Sequence, residues 1–275
     1  MMEISSSKNP LVKEIKSLLK KKYRWEKGLF IIEGIKLVEE ALDNDVHIKN
    51  ILYTDKLITY TDGINLLEKL KNFKSCFRVS ESLFNEITNM ENSQGIIGVA
   101  YFQIRNLDIN RGNRFLLFLD GIQDPGNMGT IIRSADAFNI DGIIIGEGSV
   151  DAYNPKVVRS TMGSIFRVPL YFTKDNMESL ELLKSKGFKI YSTSLEGSVA
   201  NYDIEYKDDF IIVIGSESQG VNRNILDISD KRIKIPMPGS AESLNAGVAA
   251  SIIMYEGMKQ RGKILSFTTS NAIID

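Results

Sequence analysis

The sequence holds one cysteine, one histidine, one tryptophan and six prolines in 275 residues, and its net charge is only -1. A lone Cys76 excludes an intramolecular disulfide and any cysteine-rich zinc site, and it suits a reducing compartment. The single His47 stands far in sequence from every polar loop singled out below, so no imidazole is at hand for acid–base chemistry there. No apolar run approaches the roughly 18 residues of a membrane span, and the opening MMEISSSKNPLVKE lacks the apolar segment of a signal peptide. The chain reads as cytoplasmic, with no membrane and no metal partner. Because 34 basic residues balance 35 acidic ones, a nucleic-acid partner cannot be argued from bulk charge and has to be sought in local patches.

One such patch is present. Between Lys8 and Lys27 stand eight lysine and arginine residues, among them Lys20, Lys21, Lys22 and Arg24, against only Glu14 and Glu26. Asn9-Pro10 predicts an N-cap and first-turn proline opening a helix to about Lys22 that would display much of this charge. Strands are expected at LFIIEG, IKNILYT, CFRVS and GIIGVAYF, with helices at IKLVEEAL and INLLEKLKN, which makes a small α/β layer of about a hundred residues. The polar stretch QIRNLDINRGNR, residues 103–114, predicts a linker, so two domains are expected, 1–105 and 106–275. Beyond it, apolar strands are expected at FLLFLD, GIIIG, FKIYST, FIIVIG and RIKI, and helices near Asn127, Asn154, Asn176 and Ser243. Strands this apolar belong to a parallel sheet covered on both faces. The final KILSFTTSNAIID shows no period and is expected to form a loosely held tail.

Three of these strands deliver polar residues to a turn. DPGNMGTIIR puts Asn127 near a helix start and Arg133 opposite the apolar face of Ile131, Ala135 and Phe138. Taken alone, it is equally an Asn N-cap with a surface arginine. GSESQG, from Gly215 to Gly220, lets bare backbone approach a ligand with Glu217 beside it, or is a tight turn with a solvated glutamate. It is not the dinucleotide-binding glycine fingerprint, since Glu217 takes the second glycine position, and a nicotinamide-dependent dehydrogenase loses support accordingly. The third, IPMPGSAESLN, runs from Ile235 to Asn245 into a small-residue helix, where a helix N-terminus suits an anionic or nucleoside ligand. Ser243 and Asn245 fit helix capping as well.

On these residues the chain resembles the SpoU, or TrmH-like, branch of the knotted SPOUT RNA methyltransferases, which move methyl from S-adenosylmethionine to a ribose 2'-hydroxyl. The three family motifs stand in order as Asn127-x-Gly129-x-x-x-Arg133, Gly215-x-Glu217-x-x-Gly220 and Ile235-Pro-Met through Ser243-Leu-Asn245. Many members carry glycine where Ser218 stands here. The resemblance covers Phe115 to about Lys259 strongly, and more weakly the first domain, through FIIEGIKLVEEAL and QGIIGVA, which look like an L30e-like substrate-binding domain.

The resemblance implies an α/β fold whose C-terminal domain has a parallel sheet and a deep trefoil knot, with a homodimer built on it. It implies a cofactor pocket formed by Thr193, Ser194, Leu195, Gly215, Ile235, Met237 and Leu244, and a reaction centre of Arg133, Asn127, Glu217, Ser243 and Asn245. Since a guanidinium stays protonated, Arg133 is expected to clamp a phosphate beside the target ribose rather than act as base. RNA is the implied partner, with Lys20, Lys21, Lys22 and Arg24 on its phosphates. Ribosomal RNA is favoured over transfer RNA by analogy; a noncatalytic RNA-binding protein on the same scaffold is the competing class.

Overall fold

A computed structural model of the chain describes residues 2–88, 90–109, 112–196 and 198–262. The expected C-terminal tail, residues 263–275, lies outside the described residues. The chain divides into two compact units: residues 1–104 with 151–167, and residues 105–150 with 168–275. The first part of this division falls in the expected linker. The return of 151–167 to the first unit does not follow from a single boundary at 105/106, and its cause is local packing described next.

Unit 1 is built on a five-stranded mixed sheet. Its elements are β1 (Met2–Ile4), α1 (Pro10–Leu18), α2 (Lys21–Lys27), β2 (Leu29–Glu33), α3 (Ile35–Asp43), β3 (Ile48–Tyr53), α4 (Thr61–Lys69), β4 (Cys76–Val79), α5 (Glu81–Asn85) and β5 (Ile96–Tyr101). The strand order is β1-β4-β3-β5-β2, with β5 antiparallel to both its neighbours. Helix α1 starts where Asn9 Oδ1 accepts from Leu11 N at 2.9 Å and Pro10 fills the first turn. Val12, Ile15 and Leu18 recur at helical spacing and pack into a core with Leu29, Ile31, Leu52 and Val99.

The basic segment is two helices, not one. Arg24 is buried, and its guanidinium donates to the carbonyls of Leu18 and Leu19 at 2.8 and 3.0 Å, satisfying the end of α1. Its other face forms a two-pronged pair with Asp151 Oδ2, at 2.8 Å from Nε and 2.6 Å from Nη2. Asp151 opens the 151–167 segment and also accepts from Trp25 Nε1 at 3.1 Å, while Tyr153 stacks on Phe102 with ring centroids 3.9 Å apart. This pairing draws the segment and its helix α7 (Pro155–Ser160) into unit 1. The assignment of Arg24 to RNA phosphates is therefore corrected: its charge is already spent on Asp151, whereas Lys20, Lys21 and Lys22 are exposed and form no ion pair among the described residues.

Unit 2 carries a seven-stranded, wholly parallel sheet. Its elements are β6 (Phe115–Asp120), α6 (Pro125–Ala137), β7 (Gly142–Ile145), β8 (Leu170–Phe172), α8 (Asn176–Ser185), β9 (Lys189–Thr193), β10 (Val199–Ala200), β11 (Phe210–Gly215), α9 (Arg223–Ile228), β12 (Lys231–Lys234) and α10 (Ala246–Gln260). The order is β10-β12-β9-β11-β6-β7-β8. Every residue of β6 and β11 is buried, as expected for central strands covered on both faces. β8, β10 and α9, of three, two and six residues, are too short to leave a period in the sequence.

Candidate functional site at the carboxyl edge of the parallel sheet

Because β12, β9, β11 and β6 are parallel neighbours, the segments leaving their carboxyl ends share one edge of the sheet. Those segments carry Ser194 and Leu195 after β9, Ser216 to Gly220 after β11, Ile235 to Asn245 after β12, and Gly121 to Asp124 after β6. The register fixes their level: Ile233 pairs with Thr193, Val213 with Ser192, and Gly215 with Asp120. All seven expected cofactor residues lie on these segments or at the strand ends that lead into them. Thr193 Oγ1 donates to Val213 O at 3.1 Å and Ser194 N to Ile233 O at 2.9 Å, so those two groups already have partners. The backbone of Leu195 has none among the described residues, and its side chain is 65% exposed.

The loop after β11 turns within a few residues. Ser216 and Gly220 exchange backbone hydrogen bonds at 3.1 and 3.0 Å, and Gly220 takes a φ of +69°. The turn lies so close on Gly215 that a Cβ there would meet Gly220 C at 2.0 Å. Glu217 stands at the tip. Asp120 anchors the outgoing chain: its Oδ2 accepts from Asn222 N at 2.8 Å and its Oδ1 from Asn176 Nδ2 at 2.8 Å. The sequence marks Asn176 only as a helix start and gives no site role to Asp120 or Asn222; a polar residue closing the apolar run FLLFLD is the one signal that marks Asp120.

Asn127 is not the cap of α6. Asp124 is, accepting from Asn127 N at 2.8 Å with Pro125 at the first position, which the Asp-Pro pair announces. This leaves the Asn127 side chain, 7% exposed, to bridge the other two loops. Its Nδ2 donates to Glu217 Oε1 at 2.5 Å and its Oδ1 accepts from Asn245 Nδ2 at 2.7 Å. Asn245 is the N-cap of α10, its own Oδ1 accepting from Val248 N at 3.2 Å. One amide thus ties residues 90 and 118 positions away into a single polar network. Ser243 is exposed and takes no part in that capping. Arg133 projects from α6 into solvent and has no hydrogen bond or ion pair among the described residues.

A family model described as the SpoU rRNA Methylase family matches residues 114–255, the span that holds this network. The chain belongs to the SpoU rRNA methylase family. A second model, for an MRM3-like substrate binding domain, matches residues 9–98. Among SpoU relatives, the 23S rRNA (guanosine(2553)-2'-O)-methyltransferase RlmP of Bacillus subtilis is 37% identical over 256 residues, covering 93% of this chain and 98% of its own. An AdoMet-bound rRNA methyltransferase from Sinorhizobium meliloti superposes with a TM-score of 0.82 at 31% identity, over 96% of this chain and 98% of its own. The SpoU methyltransferase AviRb of Streptomyces viridochromogenes, in complex with AdoMet, gives 0.80 at 27% identity, over 93% of this chain and 100% of its own.

Proposed function

We propose that this SpoU protein transfers methyl from S-adenosylmethionine to a ribose 2'-hydroxyl of ribosomal RNA. The observation that carries the reading is the Asn127 amide joining Glu217 and Asn245 on the same helix that presents an unpaired Arg133. The sheet edge fits the cofactor chemically. Leu195 and Leu244, 65% and 36% exposed, and half-buried Ile235 and Met237 offer apolar walls, while the open Leu195 backbone offers a donor and an acceptor for a purine edge. Thr193, Ser194 and Gly215 would shape that pocket through backbone. When bound, S-adenosylmethionine supplies a methyl group on a sulfonium that leaves readily, so the protein's work is to align and deprotonate the hydroxyl. Arg133, always protonated, holds the phosphate next to the target ribose and stabilises the developing alkoxide. Glu217 Oε1 accepts from Asn127 Nδ2, and its Oε2, with no partner among the described residues, would take the proton in this reading. Asn245 sets the start of α10 beside it, and Ser243 lies exposed two residues before.

The test is transfer of labelled methyl to unmodified ribosomal and transfer RNA pools, followed by digestion to locate 2'-O-methyl nucleotides. Incorporation into transfer RNA alone overturns the ribosomal assignment, and cofactor binding without incorporation into either pool or into ribosomal particles points to the noncatalytic scaffold. No helix among the described residues is long and apolar enough to cross a membrane, and no group of metal-ligating side chains occurs among them.

Lys20, Lys21 and Lys22 fit the phosphate contacts of this reading. Replacing all three with alanine is expected to lower the slope of log affinity against log salt by about two to three, since each neutralised phosphate contributes about 0.7 to 0.9. Arg24→Ala is expected to behave differently. It leaves Asp151 buried without its counter-charge and costs about 3–5 kcal/mol of stability, read as a shifted denaturation midpoint.

The knotted arrangement and the homodimer belong to the same proposal. Support for the dimer comes from α10, where Val248, Ile252 and Tyr255 continue a line from Leu244 at helical spacing with exposures of 45%, 38%, 51% and, for Leu244, 36%. The double substitution Val248→Asp with Ile252→Asp is expected to give a monomer by light scattering and to lose methyl transfer; an intact dimer would reject this face.

A further inference from the structure

The corner between α1 and α2 leaves an open groove of about 830 Å³ beside Asn50 of β3 and Phe77 of β4. Its lining sets two aromatic rings, Tyr23 and Phe77, among the cations Lys13 and Lys27, the amide of Asn50 and the carboxylate of Glu14. Phe77 is partly buried against the core, but half-buried Tyr23 makes no ring–ring contact among the described residues; the Lys22 ammonium lies 6.0 Å from its ring centroid. The Asn50 side chain forms no hydrogen bond among the described residues. The Tyr23 ring and the Asn50 amide thus keep a stacking face and hydrogen-bonding groups uncommitted among the described residues.

The charge balance of the groove is positive. Glu14 is matched twice, by Lys49 at 2.8 Å and Lys27 at 3.3 Å. Burial alone would raise its carboxyl, yet these two ammonium groups outweigh burial and hold it below the usual range. Lys13 is exposed, has no acidic partner among the described residues, and lies in the same basic segment as the exposed Lys20 to Lys22. A phosphodiester chain is thus attracted here despite Glu14. A duplex read by shape alone has no use for a ring-lined slot; a splayed base does, since it stacks on an aromatic face and offers its edge to an amide.

We propose that this groove seats one unstacked nucleotide of the RNA substrate, its base against Tyr23, its edge at Asn50, and its flanking phosphates on Lys13 and Lys27. The proposal rests on the RNA-methylating function above and adds to it a second contact point, remote in sequence from the reaction centre. The amide and the ring select for single-stranded character; the lysines hold the backbone without regard to sequence.

Filter binding of unmodified large-subunit ribosomal RNA, transcribed in vitro and titrated at several salt concentrations, tests it. Tyr23→Ala is expected to weaken binding about tenfold, within the range of one lost base–aromatic stack, with an unchanged salt slope because no phosphate contact is removed. Tyr23→Phe keeps the ring and is expected to bind as the parent does, and Asn50→Ala to weaken binding by a smaller factor. A parental circular-dichroism spectrum and denaturation midpoint show that unit 1, which holds both residues, is folded in each variant. Parental affinity for Tyr23→Ala, equal losses for Tyr23→Phe and Tyr23→Ala, or a reduced slope overturns the groove. If the parent methylates this RNA and the Lys20–Lys22 variant loses slope while Tyr23→Ala stays silent, the groove alone falls. If the parent binds and methylates neither this RNA nor assembled ribosomal particles, the RNA-methylating reading falls and the groove falls with it.

Discussion

Arg133→Ala is expected to lower methyl transfer to ribosomal RNA by about a hundred- to a thousandfold, the loss typical of removing one donor to a developing oxyanion. Affinity for S-adenosylhomocysteine should be nearly unchanged, because Arg133 points into solvent and supports no other side chain among the described residues. The loss should appear in kcat as well as in KM, since a phosphate clamp acts both on RNA binding and on alignment. Arg133→Lys separates charge from shape. A lysine restores the positive charge but not the planar fork, so it is expected to recover only part of the rate; near-parental turnover would remove the two-pronged clamp. A folded, cofactor-binding Arg133→Ala enzyme with parental activity would remove Arg133 from the reaction centre altogether.

Gly215→Ala is expected to abolish cofactor binding and to destabilise unit 2 by about 3 kcal/mol or more, at the upper end of overpacking costs. The added methyl would lie 2.0 Å from Gly220 C and 2.1 Å from Val221 N. Both are backbone atoms, so no side-chain rotation relieves the clash. Strand β11 is buried along its whole length and cannot retreat, so the Ser216–Gly220 turn must open. Opening it carries Glu217 away from Asn127 and breaks the tie between the loops after β6 and β11. Calorimetric titration with S-adenosylhomocysteine and a denaturant midpoint read the two effects; retained binding with parental stability would mean the turn is softer than its geometry states.

The parallel sheet was legible because FLLFLD, GIIIG and FIIVIG are apolar runs that end in, or run directly into, polar or glycine-bearing turns, which is the pattern of strands buried on both faces and open at one edge. The three loops were legible as a group for the same reason. Their wiring was not: Asp124-Pro125 marks the cap and so frees Asn127, but nothing in the local sequence names Glu217 and Asn245, 90 and 118 residues away, as the partners of its amide. Arg24 shows the limit most plainly. In a lysine-rich run it reads as one more surface cation, and only the fold reveals a carboxylate 127 residues away that removes it from solvent. Strand order escaped for a related reason: β9, β11 and β12 carry similar apolar patterns, and which neighbours which is settled by packing.

The return of residues 151–167 to unit 1 bears on how this protein can be cut and recombined. A fragment ending at Ile104 would keep Arg24 and lose Asp151, leaving an interior cation with no counter-charge and the Phe102 ring with no Tyr153 against it. A chimera that joins the substrate half of one relative to the catalytic half of another at the linker inherits the same mismatch. The exchangeable module is discontinuous, two stretches of chain that have to travel together, and a lineage that shuffled only the amino-terminal stretch would discard the ion pair that closes it.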